Sequence, residues 1–224
     1  MKKPRMERRS LFQRFVARPE FGPFILLAVE IIVFSAMAPA FLSALNIGNI
    51  LAFAPELGMI ALGMTLLMTS GEFDLSVGSV CGFSAVIMWT LFNGGVASLE
   101  VAFLAAIALA MVIGFANGWM VTRLKIPSFL VTLGMLLVVR GLALYITDGF
   151  PQRTWSAGES WLAEVLVGDF YIGEVRIFMS LIWFILFAVI LSFVLTQTKA
   201  GNWILAAGGN PGSARARGVR VSRT

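Results

Sequence analysis

Long apolar runs separated by short polar stretches divide the chain into six segments near membrane-spanning length, residues 24–41, 50–70, 75–92, 99–121, 126–147 and 177–196. Crossing a hydrocarbon core of about 30 Å at about 1.5 Å per residue takes roughly 20 mostly apolar residues, so each run predicts a transmembrane helix. The fourth run carries Ala102, Ala106, Ala110, Gly114 and Gly118 at steps of four, a stripe of small side chains that predicts close approach of a second helix. Gly78 and Gly82 repeat that spacing in the third. Residues 148–176 form the one long polar interval between runs. Within it Ser160 is placed to cap a short helix through Val167, stopped by Gly168 and carrying Trp161, Leu162, Val165 and Leu166 along one side, as in an element lying at a membrane interface.

Composition narrows the class. Of 224 residues, 58% are hydrophobic and only 13% charged, about half the charged share of a soluble domain. The absence of histidine excludes histidine-based triads and most zinc sites, and the single Cys81 excludes an internal disulfide, so neither a metal nor a cofactor is expected. No GxxxxGK[ST] loop is present to cradle a nucleotide, and no nucleophile has a base beside it; the chain is not read as an enzyme.

The net charge of +5 follows the membrane, not nucleic acid. Placing the N-terminus on the cytoplasmic side puts 14 of the 17 Lys and Arg residues inside: those of residues 1–23, Arg123 and Lys125 between the fourth and fifth runs, and those of residues 197–224. Outside fall Arg153 and Arg176, in a loop rich in acids, while Arg140 lies within the fifth run. The organisation expected is a basic cytoplasmic segment (1–23), a transmembrane domain (24–196) with a periplasmic loop (148–176), and a cytoplasmic tail (197–224), set in a lipid bilayer. Glu30 and the length of the first run argue for an uncleaved span over a signal peptide.

Three groups of residues are candidates for chemistry. Glu72, Asp74 and Ser76 occupy a very short link between two spans; Gly71 permits a tight turn, and Asp74 or Ser76 can cap the next helix. The same residues also suit an aqueous pathway, because irregular backbone near membrane depth survives only where protein or water covers it. Glu30, Glu56 and Arg140 are costly in lipid and are expected to face the bundle interior, water or a partner charge. In the tail, Asn210 before Pro211 is an N-cap and first-turn pair, Gly218 a stop, and Gly208-Gly209 a sharp turn ahead of them, so that a short helix presents Arg215 and Arg217 to anionic headgroups or to another protein.

These motifs occur together in an order that resembles a known family. Leu57-Gly-Met-Ile-Ala-Leu-Gly-Met-Thr65, Glu72-Phe-Asp-Leu-Ser-Val-Gly78, Asn117-Gly118, Ile126-Pro-Ser-Phe-Leu-Val-Thr-Leu-Gly-Met135, Arg140-Gly141 and Gly208-Gly-Asn210 are similar to the permease subunits of ribose- and xylose-type ABC sugar importers, over roughly residues 46–220. The resemblance implies an all-α membrane protein, a polytopic helical bundle with six spans present of a ten-span fold, and hence a chain that stops at Thr224 partway through that fold. It implies a bacterial inner-membrane permease for a monosaccharide or polyol. The partners implied are a second permease subunit, a cytoplasmic ABC ATPase and a periplasmic sugar-binding protein. Under it, Glu72, Asp74, Ser76 and Arg140 are pathway or gating residues, and Gly208, Gly209, Asn210, Arg215 and Arg217 meet the ATPase. Glu72 departs from the family, which more often has glycine there, and points to a different substrate. The rival readings are a six-span transporter coupling an ion gradient through Glu30, Asp74 and Arg140, and a truncated remnant that transports nothing.

Overall fold

The structure, a computed structural model, describes Val16 and residues 18–151 and 160–221. Most of the expected basic segment 1–23, together with Arg153, Glu159 and Arg223, lies outside the described residues.

In chain order the elements are α1 (Phe21–Met37), α2 (Ala44–Thr69), α3 (Val77–Asn93), α4 (Leu99–Leu124), α5 (Ser128–Thr147), α6 (Trp161–Val167), β1 (Asp169–Ile172), β2 (Val175–Phe178), α7 (Met179–Gln197), α8 (Lys199–Gly209) and α9 (Pro211–Ala216). The helix ends follow local chemistry. α1 stops before Pro39, which forces Ala38 into an extended conformation (φ −125°, ψ 103°). α2 begins earlier than its apolar run because Ser43 accepts a hydrogen bond from the Asn46 amide at 3.3 Å. α4 ends where Lys125 turns left-handed (φ 61°) ahead of Pro127. α2, α4, α5 and α7 are long and apolar enough to cross a membrane, whereas α1 and α3 have 17 residues each and span about 25 Å.

The helix expected over Trp161–Val167 is present, with Ser160 accepting from the Leu162 amide at 3.2 Å. The hairpin that follows was not expected. β1 and β2 pair antiparallel with Ile172 opposite Val175, and Gly173 (φ 62°) supplies the positive φ for a two-residue turn. Arg176 closes it, pairing with Asp169 at 2.7 Å and lying 4.8 Å over the Phe178 ring. The Arg176 hydrogen bond and charge hold the Asp169 carboxyl below the usual carboxylate range.

Packing divides the helices. α3, α4 and α5 share a core of Phe83, Ile113 and Val139, while α2 packs on α7, α8 and β2. Lipid is as apolar as these side chains, so such contacts are held by van der Waals fit and by hydrogen bonds, not by escape from water. The small stripe on α4 is only half used. Ala102 and Ala106 are buried, but Gly114 and Gly118 meet nothing within 4 Å, and Ile113 and Asn117 take the inward positions instead. Steps of four drift about 40° each around a helix of 3.6 residues per turn, which carries the stripe off the contact face. Gly78 and Gly82 likewise face open space.

The surface confirms the solvent. The chain exposes 16368 Å², against roughly 10,000 Å² for a soluble protein of this mass. Large apolar side chains such as Leu26, Ile32, Phe53 and Leu137 are exposed, a surface for lipid or other helices.

Candidate functional site

One end of the bundle gathers three of the polar connections that the sequence singled out. There the α2–α3 link (residues 70–76), the α4–α5 turn and the α8–α9 tail come together. The Phe73 amide donates to the Ser128 hydroxyl at 3.3 Å, tying the link to the start of α5. The hairpin and α6 occupy the opposite end, where Ser160 donates to Glu100 at 3.4 Å.

Within the link, Asp74 folds back on Ser76. Its Oδ1 accepts from the Ser76 amide at 2.7 Å and from the Ser76 hydroxyl at 2.6 Å. The first turn of α3 is thus held by the Asp74 carboxylate; the Ser76 side chain, expected as a possible cap, makes no capping bond. Ser76 instead reaches across the bundle. It is fully buried, and its Oγ accepts from Nδ2 of buried Asn117 on α4 at 3.0 Å. Because the single hydroxyl proton of Ser76 goes to Asp74, Asn117 must present its NH₂ to Ser76. Its Oδ1 is then buried without a partner, a group whose desolvation has not been offset.

Asn117, Glu72, Asp74 and Thr132 line a cavity of about 290 Å³ that Ala207 of α8 and Val221 help to close. A neighbouring cavity, also about 290 Å³, is bordered by Glu72, Lys125, Ser128 and Arg215, bringing one acid and two bases around one space. The structure therefore unites Glu72, Asp74 and Ser76 with the tail. It does not unite them with Arg140. That side chain lies more than two turns further along α5, in a groove of about 710 Å³ lined by Gly78, Ser79, Gly82 and Trp89 of α3 and by Phe150. Arg140, Glu30 and Glu56 have no ion-pair or hydrogen-bond partner among the described residues. Glu56 borders an apolar cleft of about 620 Å³ near the hairpin end, with Met59, Trp183 and Phe187.

The tail confirms the capped helix and corrects the turn. Asn210 Oδ1 accepts from the Ser213 amide at 2.9 Å, Pro211 opens α9, and Gly218 (φ 85°) follows its end. Gly208 and Gly209, expected to form a sharp turn, are the last residues of α8, and the chain changes direction at Asn210 (φ −155°). α8 itself turns away from α7 at Thr198, whose hydroxyl accepts from the Gly201 amide at 3.2 Å and donates to the Val194 carbonyl at 2.6 Å. Sequence reasoning named Asn117 only within a motif. Its burial and its bond to Ser76, 41 positions away, have no local signature.

A protein-family model described as "Branched-chain amino acid transport system / permease component" matches residues 46–224. The xylose/arabinose import permease of Sulfolobus acidocaldarius is 33% identical over 215 residues, covering 93% of this chain and 57% of that protein. The ribose import permease of Bacillus subtilis is 33% identical over 212 residues, covering 91% and 62%, and the autoinducer 2 import permease of Salmonella typhimurium is 35% identical over 211 residues, covering 93% and 58%. The chain spans about three fifths of the length of these curated relatives. No solved structure matches it. The chain belongs to this permease family and is a polytopic, multi-pass helical membrane protein, and the ribose- and xylose-type likeness drawn from its motifs is what the relatives display.

Proposed function

We propose, from membership of that permease family, that this chain supplies the membrane pathway of a bacterial inner-membrane ABC importer for a monosaccharide or related polyol. A separate cytoplasmic ATPase drives it, a periplasmic binding protein delivers the sugar, and a second permease subunit completes the pathway. The fold is the first six spans of a ten-span permease, with the N-terminus and the 70–76 link in the cytoplasm and the hairpin outside.

The observation that carries this reading is the meeting of the polar link with the capped tail helix at one end of the bundle, Glu72 and Arg215 bordering a single cavity. α9 is short, rigidly capped, and exposes Arg215 and Arg217 beside it. A partner that pushes on α9 from the cytoplasm therefore acts on the segment bearing Glu72, Asp74 and Ser76, which gates the inner mouth. The groove containing Arg140, wide and lined by small residues of α3, serves as the outer part of the pathway, where a guanidinium can donate to sugar hydroxyls.

The test uses the full-length polypeptide expressed with its ATPase and binding protein. Charge reversal of both Arg215 and Arg217 to Glu is expected to abolish co-purification of the ATPase and sugar uptake while leaving the permease in the membrane. Normal sugar-driven uptake by that variant defeats the docking assignment. Uptake that follows collapse of the proton gradient, and not ATP depletion, defeats the ABC assignment altogether.

A further inference from the structure

The two glycines that end α8 have opposite surroundings. A Cβ built on Gly208 would overlap the Thr69 carbonyl oxygen and stand 2.9 Å from the Thr69 carbonyl carbon and 3.0 Å from that of Ser70. The obstacle is backbone, not the movable end of a side chain. Gly71 reciprocates: it adopts φ +90°, and its own Cβ would stand 3.5 Å from the Gly208 Cα. Gly209, one residue on, meets nothing within 4 Å. Gly208 therefore lets two backbones touch, and Gly209 does not. Beside the contact, buried Ala207 lines the same cavity as Glu72, Asp74 and Asn117.

Side chains can rotate to absorb a displacement, whereas backbone in direct contact passes it on. We infer that Gly208 is the transmission point of this permease: its bare Cα seats α8 on the Thr69–Gly71 backbone, so that movement of α8 and α9 displaces the link and, through Asp74 and Ser76, the bond to Asn117. This rests on the reading that the tail receives the ATPase stroke. It gives Gly208 a role facing the link, as a positioning residue.

The experiment compares Gly208→Ala with Gly209→Ala in the full-length permease assembled with its ATPase and binding protein, in a background freed of every cysteine, Cys81→Ser included. Phe73→Cys is the reporter, because this exposed link residue engages Ser128 through its backbone amide only. With both glycines intact, the rate of maleimide labelling at position 73 is expected to change at least threefold on ATP binding. Gly209→Ala, whose added Cβ meets nothing within 4 Å, should retain that change in labelling. Gly208→Ala should still co-purify with the ATPase, label independently of ATP, and lose at least tenfold in sugar moved per ATP hydrolysed. Coupling in Gly208→Ala equal to that of the parent overturns the inference. Should Gly208→Ala fail to reach the membrane, ATP-independent labelling with both glycines intact overturns it equally. If the Arg215→Glu, Arg217→Glu variant keeps its ATPase, the coupling reading has failed and this inference falls with it. If that variant loses the ATPase while position 73 ignores ATP in the parent, only this inference has failed.

Discussion

Ser76→Ala removes one oxygen and strands another group. In the parent, Asn117 has one polar atom satisfied, its NH₂ through the Ser76 hydroxyl at 3.0 Å, and one, its Oδ1, without a partner. Deleting the hydroxyl leaves a 95%-buried amide with nothing to bond, while Asp74 keeps the residue 76 amide as a donor. Stranding a buried polar group costs about 1–3 kcal/mol, equivalent to roughly 5- to 150-fold in the unfolding equilibrium. Replacing both partners with apolar groups relieves most of that cost, because no donor is then left buried. The double variant Ser76→Ala, Asn117→Leu is therefore expected to be less destabilised than the sum of the single variants by about 1 kcal/mol or more. The assay is equilibrium unfolding of the full-length permease in mixed detergent micelles, followed by tryptophan fluorescence. Strict additivity, or a Ser76→Ala midpoint equal to the parent's, refutes the claim that this bond ties α3 to α4.

Three further outcomes are expected. Asn210→Ala, which removes the only side-chain cap of α9, should cost about 0.5–2 kcal/mol locally and weaken ATPase co-purification without abolishing it, read by titration of the ATPase onto the purified permease. Arg140→Met leaves no charge stranded, since Arg140 has no ion partner among the described residues; its unfolding midpoint should stay within about 0.5 kcal/mol of the parent while sugar uptake falls. For the hairpin, Asp169 has its folded value depressed below the ordinary 3.8, so the stabilisation it gains from Arg176 is present in full above that value and lost as pH falls through the folded one. Hydrogen exchange of β1 and β2 amides should thus accelerate, relative to Asp169→Asn, only at pH below about 4; a difference that vanishes between pH 7 and 5 would contradict the pairing.

Much of the fold was legible because membranes simplify the code. A run of apolar residues and a capping pair such as Asn210-Pro211 are local signals, and lipid leaves few alternatives to a helix. α6 and α9 were recovered from their caps and glycine stops, since Ser160 and Asn210 act on amides two and three residues away. The hairpin was missed because its eight strand residues pair through a turn whose only cue is Gly173 amid an otherwise mixed polar loop.

What the sequence determined by itself was therefore the class of molecule, the helices and their caps, and the residues worth suspecting. Which of those residues meet was decided by tertiary structure. Asn117 found Ser76 because helix rotation turned one polar residue of α4 inward and carried the neighbouring small stripe away. Glu72 came to border a cavity with Arg215, and Arg140 was set apart in another, because α2, α4 and α8 all end where the link begins. Gly208 and Gly209 are indistinguishable as letters. Only the passage of Thr69 beside one of them gives the two glycines different work, and such contacts between distant backbones leave no periodicity to read.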